Sequence, residues 1–204
     1  MINLNRKRKT KNPCSGCFLH KSFCICTHFV NFDLKTKLSL IIHNKETRRT
    51  TNTGLIATKC LINHSVFVRG LMNQKLNFSD ILDPNYHAVL LYPSEDSFEL
   101  NQNYISTLQK PINLIVSDGN WRQGSKLHYR YQELSQIPRV HVSQKSLIDY
   151  KLRHESKDLG LSTIEAIAFA LGILENQQVE DKLLEIYKLK VSQTLKARGV
   201  KAPI

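Results

Sequence analysis

Short apolar runs alternate along this chain with longer stretches in which apolar positions recur every three or four residues. The runs at residues 38–42, 65–68, 87–92, 112–117 and 139–142 have the length and composition of strands. Between and after them the spacing turns helical. Leu55, Ile56, Cys60 and Leu61 predict a helix over residues 53–62, and Trp121, Leu127, Tyr131 and Leu134 predict another. Ile164, Ile167, Ala168 and Leu171 mark a third, opened by Ser162 and Glu165 at capping-box spacing. Leu183, Leu184, Ile186, Tyr187 and Val191 line a last helix over residues 179–197. Strands that alternate with helices predict an α/β fold, a mainly parallel sheet flanked by helices.

The run Ile112-Asn113-Leu114-Ile115-Val116-Ser117 stops abruptly at Asp118-Gly119-Asn120-Trp121, which holds the only tryptophan. An Asp-Gly pair after a buried strand reads as a tight turn at its carboxyl end, and in open α/β sheets ligands bind there. Taken locally, the turn is equally well a structural corner beside a core tryptophan. Two other polar segments sit at comparable places: Tyr92-Pro93-Ser94-Glu95-Asp96-Ser97 after a strand, and Ser162-Thr163 at a helix start. In a parallel sheet the first two emerge on one edge, and the third offers helix N–H groups to an anion. Together they suit a small polar ligand with an adenine-like ring and a carboxylate. No P-loop and no G-x-G-x-x-G occurs, which argues against an ordinary nucleoside triphosphatase or dinucleotide site.

At 204 residues, 41% hydrophobic and 23% charged, the chain has room for one domain with a small appendage. No apolar run approaches the roughly 20 residues of a membrane span, and no secretory signal is seen, so a cytoplasmic protein is expected, without membrane association or an obligate protein partner. The formal charge of +12 is uneven, because residues 1–30 carry six Lys/Arg and no acid. A basic arm, expected to be disordered over residues 1–12, suggests a polyanion such as nucleic acid.

Four of the five cysteines, Cys14, Cys17, Cys24 and Cys26, form a C-x2-C-x6-C-x-C cluster. In a cytosolic chain such spacing favours a metal over disulfides, with structural zinc foremost and an iron–sulfur cluster or free thiols as alternatives. His20 and His28 are spare ligands. Residues 13–30 are therefore read as a zinc-binding segment ahead of a body at residues 31–204, with Cys60 as a core residue.

Set together, these segments resemble the DTW-domain family. The likeness rests on Asp118-Gly119-Asn120-Trp121 with Arg122-Gln123, on Tyr92-Pro93-Ser94-Glu95-Asp96, and on Asn52-Thr53-Gly54. It extends to Leu152-Arg153-His154-Glu155, to Leu161-Ser162-Thr163-Ile164-Glu165-Ala166, and to the four-cysteine head. Asn120 stands where the family has Thr. The resemblance implies a transferase that moves the 3-amino-3-carboxypropyl group of S-adenosylmethionine onto N3 of a tRNA uridine, releasing methylthioadenosine. It implies a variable-loop acceptor in bacterial members and a D-loop acceptor in eukaryotic ones. The implied fold is SPOUT-like, a class that includes knotted α/β enzymes.

On that reading Asp118 is the candidate general base and Trp121 packs against cofactor or base. Tyr92, Pro93, Ser94, Asp96, Asp118, Leu161, Ser162 and Thr163 hold the cofactor. Lys45, Arg48, Arg49, Arg122, Lys126 and Arg153, with the arm, contact tRNA phosphates as a group. Two other functions fit part of the pattern: a SPOUT-like RNA methyltransferase, and a non-catalytic zinc-containing RNA-binding protein.

Overall fold

A computed structural model describes residues 10, 12–72, 75–118, 127–145 and 160–200, with the backbone alone at 128 and 129. Six parallel strands form one sheet: β1 (Lys37–His43), β2 (His64–Arg69), β3 (His87–Leu91), β4 (Phe98–Glu99), β5 (Ile112–Asp118) and β6 (Arg139–His141). Their order is β2-β1-β5-β3-β6-β4, with every neighbouring pair parallel. The later strands β5 and β6 each slot between earlier ones. β5 thereby lies at the centre, bonded to β1 and β3, and its last residue, Asp118, pairs with Ile42.

Centrality explains the composition of β5. Leu114 and Val116 point into one core with Leu38, Leu40, Val89 and Leu91, while Ile115 joins Ile41 and Leu90 in a second core on the opposite face. A strand buried on both faces needs an unbroken apolar run rather than alternation. Helices α6 (Thr163–Leu174) and α7 (Gln177–Ala197) cover the first face. The short helices α2 (Phe78–Ile81), α4 (Leu127–Arg130) and α5 (Gln132–Ser135) serve the second. Two more short helices, α1 (Gly54–Thr58) and α3 (Gln102–Ser106), lie in connections. The sheet is thus the middle of three layers.

The expected α/β class and parallel sheet are present, and two expected helices differ for identifiable reasons. The helix expected over residues 53–62 ends at Thr58, because Phe32 and Leu61 form a bridge: Phe32 N–H donates to Cys60 O and Ile62 N–H to Phe32 O, both at 2.9 Å. The helix expected after the Asp-Gly turn is two short helices within the described residues. They are divided at Tyr131, whose extended backbone lets its ring pack on Phe78 with centroids 5.2 Å apart. The two-residue strand β4 has no counterpart among the predicted elements. No helix among the described residues is long and apolar enough to cross a membrane.

The cysteine segment shares the main core. Cys17, Leu19 and Ile25 are buried there beside residues of α6 and α7.

Candidate functional site

Asp118 is buried, with 6% of its surface exposed, at the carboxyl end of the central strand. Side chains from the segment before α1 and from the start of α6 reach it. The hydroxyl of Thr163, first residue of α6, donates to Asp118 Oδ1 at 2.8 Å. The Asn52 amide donates to Asp118 Oδ2. Asn52 is itself fixed, since its Oδ1 accepts the N–H of Leu55 at 3.0 Å in the first turn of α1.

Gly54 makes this approach possible. A Cβ at that position would lie 2.9 Å from Asp118 Oδ2 and 3.1 Å from Thr163 Cγ2. The Asn52-Thr53-Gly54 turn therefore packs directly onto the carboxylate. Asn52 is absent from the sequence-derived site residues. The sequence signal for it was the Asn52-Thr53-Gly54 segment, one of those that carry the family resemblance.

The start of α6 is held by a complete capping box. Glu165 Oε2 accepts the Ser162 N–H at 2.9 Å and its hydroxyl at 2.7 Å, while Glu165 N–H donates to Ser162 Oγ at 3.4 Å. The Ser162 side chain thus serves the cap, and Thr163 is the residue of this segment that touches Asp118. Leu161 packs against the main core.

The loop after β3 leaves the sheet on the same edge as Asp118, since Leu91 pairs with Val116 of β5. Tyr92 packs on the second core, and its N–H donates to Val140 O at 2.9 Å. Pro93 is exposed. Ser94 Oγ donates to Asp96 Oδ1 at 2.7 Å, and Arg139 Nε donates to the same oxygen at 3.0 Å, with a second guanidinium contact to Oδ2. Asp96 therefore ties this loop to β6.

Lys45, Arg48 and Arg49 are exposed on the connection after β1, and Arg49 pairs with the buried Glu46 at 2.9 Å. At the start of that connection, His43 Nδ1 accepts the Lys45 N–H at 3.1 Å. Burial, then the charges of Arg69 and Lys45, hold the His43 pKa below the ordinary histidine value. Trp121, Arg122, Lys126 and Arg153 lie outside the described residues.

The four clustered cysteines bring their sulfurs within 4.8 Å of one another. Cys14–Cys26 and Cys14–Cys24 are each 3.5 Å apart and Cys17–Cys24 3.9 Å. A tetrahedron with metal–sulfur bonds of about 2.3 Å has edges of roughly 3.8 Å, so the set fits a four-coordinate thiophilic ion. The knuckle is tight: a Cβ on Gly16 would lie 2.6 Å from Cys26 Sγ. The Cys17 backbone N–H is the chief cause that holds the Cys14 thiol down at about 6, whereas burial pushes Cys26 up. Cys60 is buried apart from the cluster, and burial pushes its thiol up to about 11.

Fold and site together define a parallel α/β protein with a held carboxylate at the centre of its carboxyl edge and a four-thiol knuckle packed against its core. The chain belongs to the DTW domain family, whose model matches residues 11–195. It is 26% identical over 186 residues to tRNA-uridine aminocarboxypropyltransferase 2 of Macaca fascicularis, covering 86% of this chain and 61% of that protein. It is 25% identical over 175 residues to the Drosophila melanogaster protein of the same name, covering 82% and 68%. It is also 26% identical over 207 residues to tRNA-uridine aminocarboxypropyltransferase A of Arabidopsis thaliana, covering 86% and 78%. The chain spans about three fifths of the length of the macaque relative. No solved structure matches it significantly.

Proposed function

We propose that this protein is a tRNA-uridine aminocarboxypropyltransferase that uses S-adenosylmethionine and modifies N3 of a uridine, in the variable loop. The observation that carries the reading is Asp118, a buried carboxylate at the carboxyl end of the central strand, held by Thr163 and Asn52. Family membership and the names of the relatives support the substrate class.

The chemistry of the site fits the donor, since a sulfonium cation is matched by the buried negative charge of Asp118. Tyr92, Pro93, Ser94, Asp96, Leu161, Ser162 and Thr163 would hold it along with Asp118. When bound, S-adenosylmethionine supplies the aminocarboxypropyl group on a sulfonium that makes the attached carbon electrophilic. Uridine N3 carries a proton at neutral pH, and the Asp118 carboxylate accepts it. Those two donors fix the carboxylate plane, so the direction of proton transfer is set before the base arrives. Trp121, three residues later in the chain, is the aromatic this reading assigns to pack against cofactor or base. The target base must leave its stack to reach such a position. Lys45, Arg48, Arg49, Arg122, Lys126 and Arg153 steer the phosphates toward it.

The SPOUT-like fold is part of the same reading, supported by the all-parallel sheet. So is zinc at Cys14, Cys17, Cys24 and Cys26, in a segment over residues 13–30 that serves as a structural head to the catalytic body at 31–204. Four thiolates close the coordination shell, so the metal's role is structural.

Nucleoside mass spectrometry of tRNA from cells with and without the protein tests this function. Loss of aminocarboxypropyluridine is expected. Loss of a methylated nucleoside with aminocarboxypropyluridine unchanged would assign a methyltransferase instead.

A further inference from the structure

The least expected buried side chain in the molecule is a lysine. Lys190 is 1% exposed and sits on α7 among Tyr187, Val191 and Leu195, which belong to the main core. A lysine is almost never fully buried unless its charge is matched, because desolvating an unpaired ammonium is costly. No carboxylate among the described residues pairs with it. Its Nζ donates instead to the backbone carbonyl of Cys17, and the Cys17, Cys26 and Cys14 thiols favour its charged form. An ammonium has three donors, and the Cys17 carbonyl takes one.

The charge of the neighbouring site explains the placement. Four thiolates around a divalent ion leave two surplus negative charges, and Cys17, whose carbonyl takes the Lys190 bond, is fully buried, where low dielectric magnifies charge. One ammonium beside the sulfurs offsets half of that surplus. We propose that Lys190 is the internal counter-cation of the four-cysteine metal site, inserted from α7 to raise metal affinity and to tie the amino-terminal knuckle to the last helix. The proposal rests on the reading that these cysteines hold a divalent metal. It gives Lys190 a positioning role outside the transfer reaction.

The test compares the wild type with Lys190→Met, which keeps the stem and removes the charge, and Lys190→Arg, which keeps the charge. Zinc content of the purified wild type comes first. Absence of bound metal would overturn the metal reading, and this proposal with it. Given bound zinc, competition with a chromophoric chelator should show zinc held about 10- to 100-fold more weakly by Lys190→Met. Lys190→Arg should hold it more tightly than Lys190→Met. Equal affinity in wild type and Lys190→Met would overturn the proposal while leaving the metal site intact. If Lys190→Met does not fold, nitrogen-15 NMR of the lysine ammonium groups in the zinc-loaded wild type decides. One slowly exchanging ammonium signal that vanishes when chelator strips the metal supports the role, and no such signal contradicts it.

Discussion

The Thr163 hydroxyl donates to Asp118 Oδ1 at 2.8 Å, joining the first residue of α6 to the last residue of the central strand. The bond links a helix start to a strand end 45 residues earlier, and together with Asn52 it defines the candidate site. Thr163→Val keeps the shape and removes the donor. We expect a loss of stability of about 1 kcal/mol, the net worth of a typical hydrogen bond. Transfer should fall more than stability does, because the carboxylate loses one of the partners that orient it. Chemical denaturation and single-turnover transfer on the same variant check both halves.

Gly54→Ala separates packing from helix propensity. Alanine is the better helix former, so helix energetics alone would make the variant more stable. The added Cβ, however, would lie 2.9 Å from Asp118 Oδ2 and 3.0 Å from its Cγ. We expect destabilisation of about 1–3 kcal/mol, typical of overpacking, with reduced transfer. A thermal melt higher than that of the wild type would contradict the close approach.

Metal removal should loosen the whole molecule rather than one end. Cys17, Leu19 and Ile25 belong to the core that α6 and α7 cover. Chelation should therefore lower the melting temperature of the intact chain in one cooperative transition. Gly16→Ala, whose Cβ would lie 2.6 Å from Cys26 Sγ, should reduce zinc stoichiometry measured by elemental analysis.

His43 gives a pH signature. Burial, with the nearby Arg69 and Lys45 charges, lowers its pKa in the folded chain below the ordinary histidine value of about 6.5. The unfolded chain therefore takes up the proton first as pH falls. The stability that His43 contributes is full above about 6.5, the unfolded value, and is lost as pH falls through the lower folded value. NMR titration of the imidazole should give a midpoint below that of free histidine. A midpoint above it would contradict the described surroundings.

Phosphate contacts should act as a set. Replacing Lys45 and Arg48 together by glutamine should weaken tRNA binding and flatten its dependence on salt, with melting temperature unchanged because both side chains are exposed. Filter binding across a range of potassium chloride concentrations reads the slope directly.

Much of the frame was legible because it is built from local patterns. The runs at 38–42 and 112–117 are strands because they are buried on both faces, and Ser162 with Glu165 forms the capping box its spacing predicts. The short elements were not legible. Helices α2 and α3 have only four and five residues, too few for a periodicity, and their start signals are single asparagines. The Asn77 and Asn101 side chains accept N–H groups of Ser79 and Tyr104. Strand β4 exists because β6 offers an edge, and its register is a tertiary fact. At the site, the placement of Asp118 at a strand end followed from the sequence. The roles of Asn52 and Gly54 did not, because both depend on a chain crossing that brings positions 52, 54, 118 and 163 together.

The central claim is that Asp118 handles the proton of the accepting uridine. The most direct measurement is transfer by purified protein to unmodified tRNA from S-adenosylmethionine labelled in its aminocarboxypropyl group, for the wild type and Asp118→Asn. The wild type should place the label on one uridine, found by nucleoside mapping. Asp118→Asn should melt near the wild-type temperature and bind tRNA equally, yet transfer about 100- to 10,000-fold more slowly. A variant that transfers at the wild-type rate would remove Asp118 from the mechanism.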